Sequence, residues 1–177
     1  MRFAVAVLGI AMLAVSLQAS ADILYPNAIQ FRALPPQAPE IHYSDLHDAT
    51  FKALKVYERV PGCSRLAALT GRWAWRRGLN PKLVASMIVT ESTCNPLAVS
   101  SAGALGVMQI VPKYWSNRYD FTRLNLLNPE TNIEIGTELI AKLVAKYGER
   151  EALERYQGRG PHRNPNYVSQ IERRKHV

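Results

Sequence analysis

The stretch TESTCNPLAVSSAGALGVMQIVP, residues 90–112, holds one carboxylate at the end of an apolar run. That residue is Glu91, and the only acid between it and Glu130 is Asp120, in the polar segment SNRYDFTRLN. A lone carboxyl can do chemistry if its surroundings keep it protonated near neutral pH, because it then serves as a general acid. Its neighbours suit a ligand. Gly103 and Gly106 with Ala102 and Ala104 allow close backbone approach. Ser100, Ser101 and Gln109 offer hydrogen bonds, and Met108 offers an adaptable apolar surface. Small residues, a few donors and acceptors and one acid make a suitable wall for a sugar cleft.

Glu91 needs an element to aim it. Asn80-Pro81 reads as a helix start, with Asn as the cap and Pro at the first helical position. Leu83, Val84, Met87 and Ile88 then form an inward stripe, and Glu91 continues it four residues after Met87. The stripe turns the carboxyl inward at the helix C-terminus. Burial and the negative helix end both favour the neutral acid there. The plain alternative is a helix-end Glu that turns to solvent.

Other helices follow the same logic. SDLHDATFKALKVYERV has apolar Leu46, Phe51, Leu54 and Tyr57 and stops at Pro61-Gly62. SRLAALTGRWAWRRG reads as a helix from an N-cap at Ser64 to Gly78, and its Trp73, Trp75 and arginine pair are read as a core Trp on an amphipathic helix rather than a ligand platform. Asn128-Pro129 opens a helix whose stripe is Ile135, Leu139, Ile140, Leu143, Val144 and Tyr147, ending at Gly148. EREALERYQ ends at Gly158, and Asn164-Pro165 opens a final basic helix. No alternating strand pattern of useful length occurs. The expected fold is mainly α, with a small irregular or short-strand region at 97–111 lining the cleft.

The ordered blocks resemble the soluble lytic murein transglycosylase (SLT) domain family, which is goose-lysozyme-like. They are Glu91-Ser92, Asn95-Pro96, Ala98-Val99-Ser100, Gly103-Ala104-Leu105-Gly106-Val107-Met108-Gln109 and Pro112. Downstream come Asn132-Ile133, Gly136 and Tyr156-Gln157-Gly158, then YVSQI. The resemblance covers roughly residues 60–172. Val107 stands where the family has Leu, and Gln157 where it has Asn; the longer Gln157 side chain bears on subsite contacts.

This resemblance implies a lysozyme-like helical domain over 44–177 that cleaves peptidoglycan without water. Glu91 would protonate the oxygen between N-acetylmuramic acid and N-acetylglucosamine. The substrate's N-acetyl group would stabilise the cationic centre. Glu91, now a carboxylate, would take the C6 hydroxyl proton as that oxygen attacks C1, leaving a 1,6-anhydro end. Ordinary glycosidases use two carboxylates; here one serves twice. The resemblance further implies that Tyr156 orients or tunes Glu91, that Ser100 contacts an acetamido or hydroxyl group, that Met108, Gln109 and Gln157 line the cleft, and that Asn132 faces it. Two rivals stay open. One is a hydrolytic muramidase that uses Asp120; the other is a protein that binds peptidoglycan without cleaving it.

The rest of the chain bears on where this would happen. Met1-Arg2, the apolar run Phe3 to Leu17 and Ala19-Ser20-Ala21 read as a signal peptide over 1–21. The run is shorter than the roughly 20 residues that span a membrane. An exported, periplasmic chain starting at Asp22 is expected, with a Pro-rich arm over 22–43. Removing Arg2 lowers the formal charge from +8 to +7. That excess suits an anionic polymer, and export makes the wall with its acidic peptides a better partner than nucleic acid. The two cysteines, Cys63 and Cys94, suggest one disulfide in an oxidising compartment. The alternative is two buried thiols. The four histidines, His42, His47, His162 and His176, show no metal-ligand spacing. No cofactor or metal is expected, and the chain is expected to act as a monomer on glycan strands. The setting extends from wall turnover to local opening of the wall for a secretion or conjugation apparatus.

Overall fold

The computed structural model describes residues 42–114, 123–158 and 163–176. The signal-peptide reading of 1–21, nearly all of the 22–43 arm, Asp120 and His162 lie outside these residues. All the described residues belong to one unit, Pro39–Val177.

Among the described residues, seven α-helices carry this unit. They are α1 (Tyr43–Tyr57), α2 (Ala67–Arg76), α3 (Pro81–Ser92), α4 (Arg123–Leu126), α5 (Pro129–Tyr147), α6 (Glu149–Tyr156) and α7 (Tyr167–Lys175). Short 3₁₀ turns, Ser64–Leu66 and Pro112–Tyr114, complete the helical elements. Among the described residues, extended pairing is limited to two isolated bridges, Val99 with Leu105 and Leu105 with Ile110. The mainly α fold with a small irregular region at 97–111 is therefore what the chain adopts. None of the described helices is long and apolar enough to cross a membrane.

Helix α3 is the axis of the core. Leu83, Val84, Ala85, Ser86, Met87, Ile88 and Val89 are all buried along it. A helix buried all round needs neighbours on every side, and α1, α2 and α7 pack against it. Its start is capped as expected, since the Asn80 side chain accepts from Lys82 N at 3.0 Å. Asn128 does the same for α5, accepting from Glu130 N at 2.9 Å and Thr131 N at 3.3 Å.

Three local expectations are corrected. Helix α1 buries Ala49, Ala53, Val56 and Tyr57, while Phe51 is half exposed. The small face lets α2 come close, so Leu46 and Phe51 are not the core stripe. Ser64 does not cap α2; the chain enters that helix through a 3₁₀ turn with no side-chain cap. Asn164-Pro165 does not open α7. Asn164 instead accepts from Asn166 N at 2.9 Å in a turn, and the helix starts at Tyr167. Trp73 is a core residue, with the guanidiniums of Arg72, Arg76 and Arg77 between 5.1 and 5.9 Å from its ring centre.

Candidate active site

Glu91 lies in the last turn of α3, and its neighbours fix the helix end. Ser92 Oγ donates to Val107 O at 2.9 Å, which ties the helix to the 98–110 wall. Thr93 and Cys94 then turn the chain with φ of 52° and 63°. Two consecutive left-handed non-glycine residues are costly and need outside support. Cys94 has it: it is disulfide-bonded to Cys63 with Cα atoms 5.4 Å apart, and its carbonyl accepts from Arg65 Nη2 at 3.1 Å. The bridge staples the segment that follows the acid.

The wall closes on itself. Ser100 N donates to Ala104 O, and Ala104 N donates to Ser100 Oγ, both at 3.0 Å. Gly106 N donates to Ala98 O at 2.9 Å, and Leu105 and Ile110 exchange backbone bonds at 2.9 and 3.0 Å. Gly106 has φ 76°, and a Cβ there would overlap the Asn132 amide and Leu126 O. Gly136, on α5, similarly leaves room for the Met108 thioether. These two glycines let the wall lie directly on α5.

The sequence-selected residues divide between the surface of this wall and its interior. Glu91 and Tyr156 are partly exposed, and so are Ser100, Gln109 and Gln157. Met108 and Asn132 have no exposed surface. The expectations that Met108 lines the cleft and Asn132 faces it are corrected on that ground. Asn132 is saturated by backbone: its Oδ1 accepts from Met108 N at 2.7 Å, and its Nδ2 donates to Leu105 O and Leu126 O at 2.9 Å each. It holds the wall from behind. Gln109, at φ 51°, uses its amide similarly, donating to Gly106 O at 2.9 Å and Ala98 O at 3.2 Å. Gln157 Oε1 accepts from Asn164 N at 3.0 Å, so this side chain braces the turn before α7.

The two tyrosines differ. Tyr156 Oη donates to Met108 O at 2.9 Å. Its partner is the wall backbone, although it lies close enough to Glu91 to sense that charge. The phenol that bonds to Glu91 is Tyr167, whose Oη donates to Glu91 Oε1 at 2.5 Å. Sequence reasoning did not single out Tyr167. Its one signal was its place in the YVSQI block.

Burial pushes the Glu91 carboxyl from the usual 4.5 up to about 7, against the Tyr167 hydrogen bond, which acts in the opposite direction. Burial and the nearby Glu91 charge hold both phenols well above the usual tyrosine value, so both stay protonated donors. A carboxyl that is half protonated at neutral pH can give a proton and take one back. With the Tyr167 hydroxyl on Oε1, the Glu91 proton belongs on Oε2.

The comparisons with known proteins agree with this geometry. The family model "Transglycosylase SLT domain" matches residues 68–174, more than half of the chain. A membrane-bound lytic murein transglycosylase C of Histophilus somni is 36% identical over 137 residues, covering 72% of this chain and 35% of the relative. Its namesake from Actinobacillus pleuropneumoniae is 38% identical over 90 residues, covering 46% of this chain and 24% of the relative. A transglycosylase of Enterobacteria phage PRD1 is 36% identical over 81 residues, covering 45% of this chain and 29% of that protein. The chain thus matches only about a quarter to a third of the length of these relatives. The matched segment contains α3 with Glu91, the 98–110 wall and Tyr167 of α7, and the chain belongs to the transglycosylase SLT domain family.

Proposed function

We propose that this chain is a peptidoglycan lytic transglycosylase. It cleaves the β-1,4 bond between N-acetylmuramic acid and N-acetylglucosamine and leaves a 1,6-anhydro end, with Glu91 as acid and then base. The observation that carries this reading is the Glu91 carboxyl, desolvated by its surroundings, held near neutrality and hydrogen-bonded by Tyr167.

In the first half-reaction, Glu91 Oε2 gives its proton to the glycosidic oxygen, and the C1–O bond breaks. The Glu91 carboxylate that forms is stabilised by the Tyr167 O–H already on Oε1. The substrate's acetamido oxygen stabilises the electron-poor C1. In the second, Glu91 takes the C6 hydroxyl proton as that oxygen bonds to C1. Glu91 ends protonated, no water is consumed, and the cycle is balanced. The C6 hydroxyl belongs to the same sugar unit as C1, so proximity replaces a second carboxylate as the means of delivering a nucleophile.

The names of the relatives support the reaction class, and two of them are called membrane-bound. For this chain we extend the reading to an exported enzyme, released from its signal peptide into the periplasm. It acts as a monomer on glycan strands, and one setting that fits is local wall opening for a secretion or conjugation apparatus.

The test is mass spectrometry of products released from purified peptidoglycan, with Glu91→Gln as control. Products lighter by one water than those of a muramidase, and absent with the variant, are expected. Hydrated reducing ends would make the chain a hydrolase and turn attention to Asp120. Binding to sacculi with no product from the wild type would make it a binding protein.

A further inference from the structure

A concave site lies away from the 98–110 wall. It is a groove of about 430 Å³ between the end of α1 and α7, lined by Val56, Arg59, Val60, Gln170, Arg173 and Arg174. Val56 is buried and Val60 partly so, giving an apolar floor, while Arg59 and Arg173 are exposed at the rim. None of the three arginines has an ion-pair partner among the described residues. The acids nearby in sequence are engaged elsewhere, Glu58 with Lys55 and Glu172 with Lys175. Three guanidiniums around one groove, with no ion pair to a described residue, attract an anion. Their planar forks match carboxylates in particular, two parallel N–H groups to two oxygens.

The groove is joined to the candidate acid at two points. Arg174 Nη1 donates to Thr90 Oγ1 at 2.9 Å, and Thr90 immediately precedes Glu91. Tyr167, which bonds to Glu91, begins the helix that carries the groove. Gln170 and Arg174 follow it by three and seven residues, about 5 and 10 Å along the helix axis at 1.5 Å per residue. A ligand in the groove is therefore within reach of a branch from a polymer bound at Glu91. In peptidoglycan, that branch is a short peptide rich in carboxylates.

We propose that this groove is a subsite for the acidic stem peptide of the glycan strand. Arg59 and Arg173 receive its carboxylates, Val56 and Val60 seat its aliphatic parts, and Arg174 keeps the groove in register with Glu91. The inference rests on the transglycosylase reading above. A lipid surface is a poorer occupant, because the apolar residues here form the floor of a concavity and cannot reach a flat bilayer.

The test uses Arg59→Gln with Arg173→Gln, two exposed positions outside the core and outside the Glu91 site. Turnover is measured on peptide-bearing strands and on strands stripped of peptide by an amidase. Binding of the released stem peptide is measured by calorimetry in a Glu91→Gln background. The double variant should bind free peptide about tenfold more weakly, the size expected for two partly solvated charge contacts. KM on peptide-bearing strands should rise by a similar factor with kcat unchanged, and stripped strands should show no change. Equal losses on both kinds of strand, or unchanged peptide binding, would overturn the proposal. So would loss of binding to phosphatidylglycerol vesicles with peptide affinity intact, which would assign the groove to a membrane. If wild type cleaves neither strand, the transglycosylase reading fails, and the calorimetric comparison alone still decides the groove.

Discussion

Tyr167 donates its hydroxyl to Glu91 Oε1 at 2.5 Å, across 76 positions of sequence. This bond joins the C-terminal end of α3 to the first residue of α7. Tyr167 is itself buried, so its phenol cannot turn away to water. The bond engages Oε1 in holding the group in place, and Oε2 is the atom that the proposed reaction uses. It also sets two opposing influences on one proton: burial retains it, and the phenol eases its departure.

The raised pKa makes a prediction about stability. The folded chain keeps the Glu91 proton up to about pH 7, whereas the unfolded chain releases it near 4.5. Between those values the folded state binds more protons, so this group's contribution to stability falls as pH rises. The cost is absent below about 4.5 and complete above about 7. At about 1.36 kcal/mol per unit it reaches at most about 3 kcal/mol. Glu91→Gln removes it. Urea unfolding should show the variant more stable than wild type at pH 8, by up to about 3 kcal/mol, and nearly equal at pH 4. An equal difference at both pH values would mean that Glu91 titrates normally.

Tyr167→Phe addresses the hydrogen bond. Its loss removes the influence that lowers the Glu91 pKa. The falling limb of kcat/KM, expected near pH 7 in the wild type, should move to higher pH. The carboxylate formed on proton transfer also loses its donor, a charged hydrogen bond of about 1.5–3 kcal/mol. The rate at pH 6 should drop about 10- to 100-fold. Tyr156→Phe is the contrast: its hydroxyl bonds to Met108 O, so stability should fall by about 1 kcal/mol while the pH limb stays in place. A shift of the limb with Tyr156→Phe and none with Tyr167→Phe would exchange their roles.

How much of this was legible depended on the range of each interaction. The Asn80 and Asn128 caps were, because a cap is satisfied within three residues of its own side chain. The same dipeptide at Asn164-Pro165 misled: the Asn164 side-chain Oδ1 accepts from Asn166 N as a cap would, but its own N–H donates to Gln157 Oε1, only a turn follows, and the helix begins at Tyr167. The inward aim of Glu91 followed from the α3 stripe, a local periodicity. Its phenol partner did not, since nothing local links residues 91 and 167. Met108 and Asn132 were chosen by motif order, which marks a residue as required without saying on which side of the wall it lies. Packing decided that: Met108 fills the space left by Gly136, and Asn132 pairs with three backbone groups.

Asn132 gives a sharp test of that distinction. Asn132→Ala leaves Met108 N–H and the carbonyls of Leu105 and Leu126 without their side-chain partner in the interior. Leu105 O keeps its bond from Ile110 N, and each buried group left unsatisfied costs about 1–3 kcal/mol. A loss of about 3 kcal/mol or more is expected in chemical denaturation. Asn132→Asp should also destabilise, because the two carbonyls would then face an acceptor. A variant of normal stability with only a raised KM would return Asn132 to the substrate surface.

The disulfide offers the last prediction. Cys63 and Cys94 are buried and bonded, and they close a loop with a sequence separation of 31. On the chain-entropy model such a loop stabilises the fold by about 3–4 kcal/mol. The bridge also supports the left-handed turn at Thr93 and Cys94, directly after the helix end that carries Glu91. Breaking it should therefore have two effects that differ in kind. Cys63→Ser with Cys94→Ser, or reduction of the wild type, should lower the unfolding free energy by about 3–4 kcal/mol. Well below the melting temperature, where the chain is still folded, the freed turn should loosen the position of Glu91, lowering kcat more than it raises KM. Thermal melts and initial rates on the same reduced sample separate the two. A lower Tm with unchanged kcat would confine the bridge to stability, and an unchanged Tm would mean that the two thiols are not joined in the folded chain.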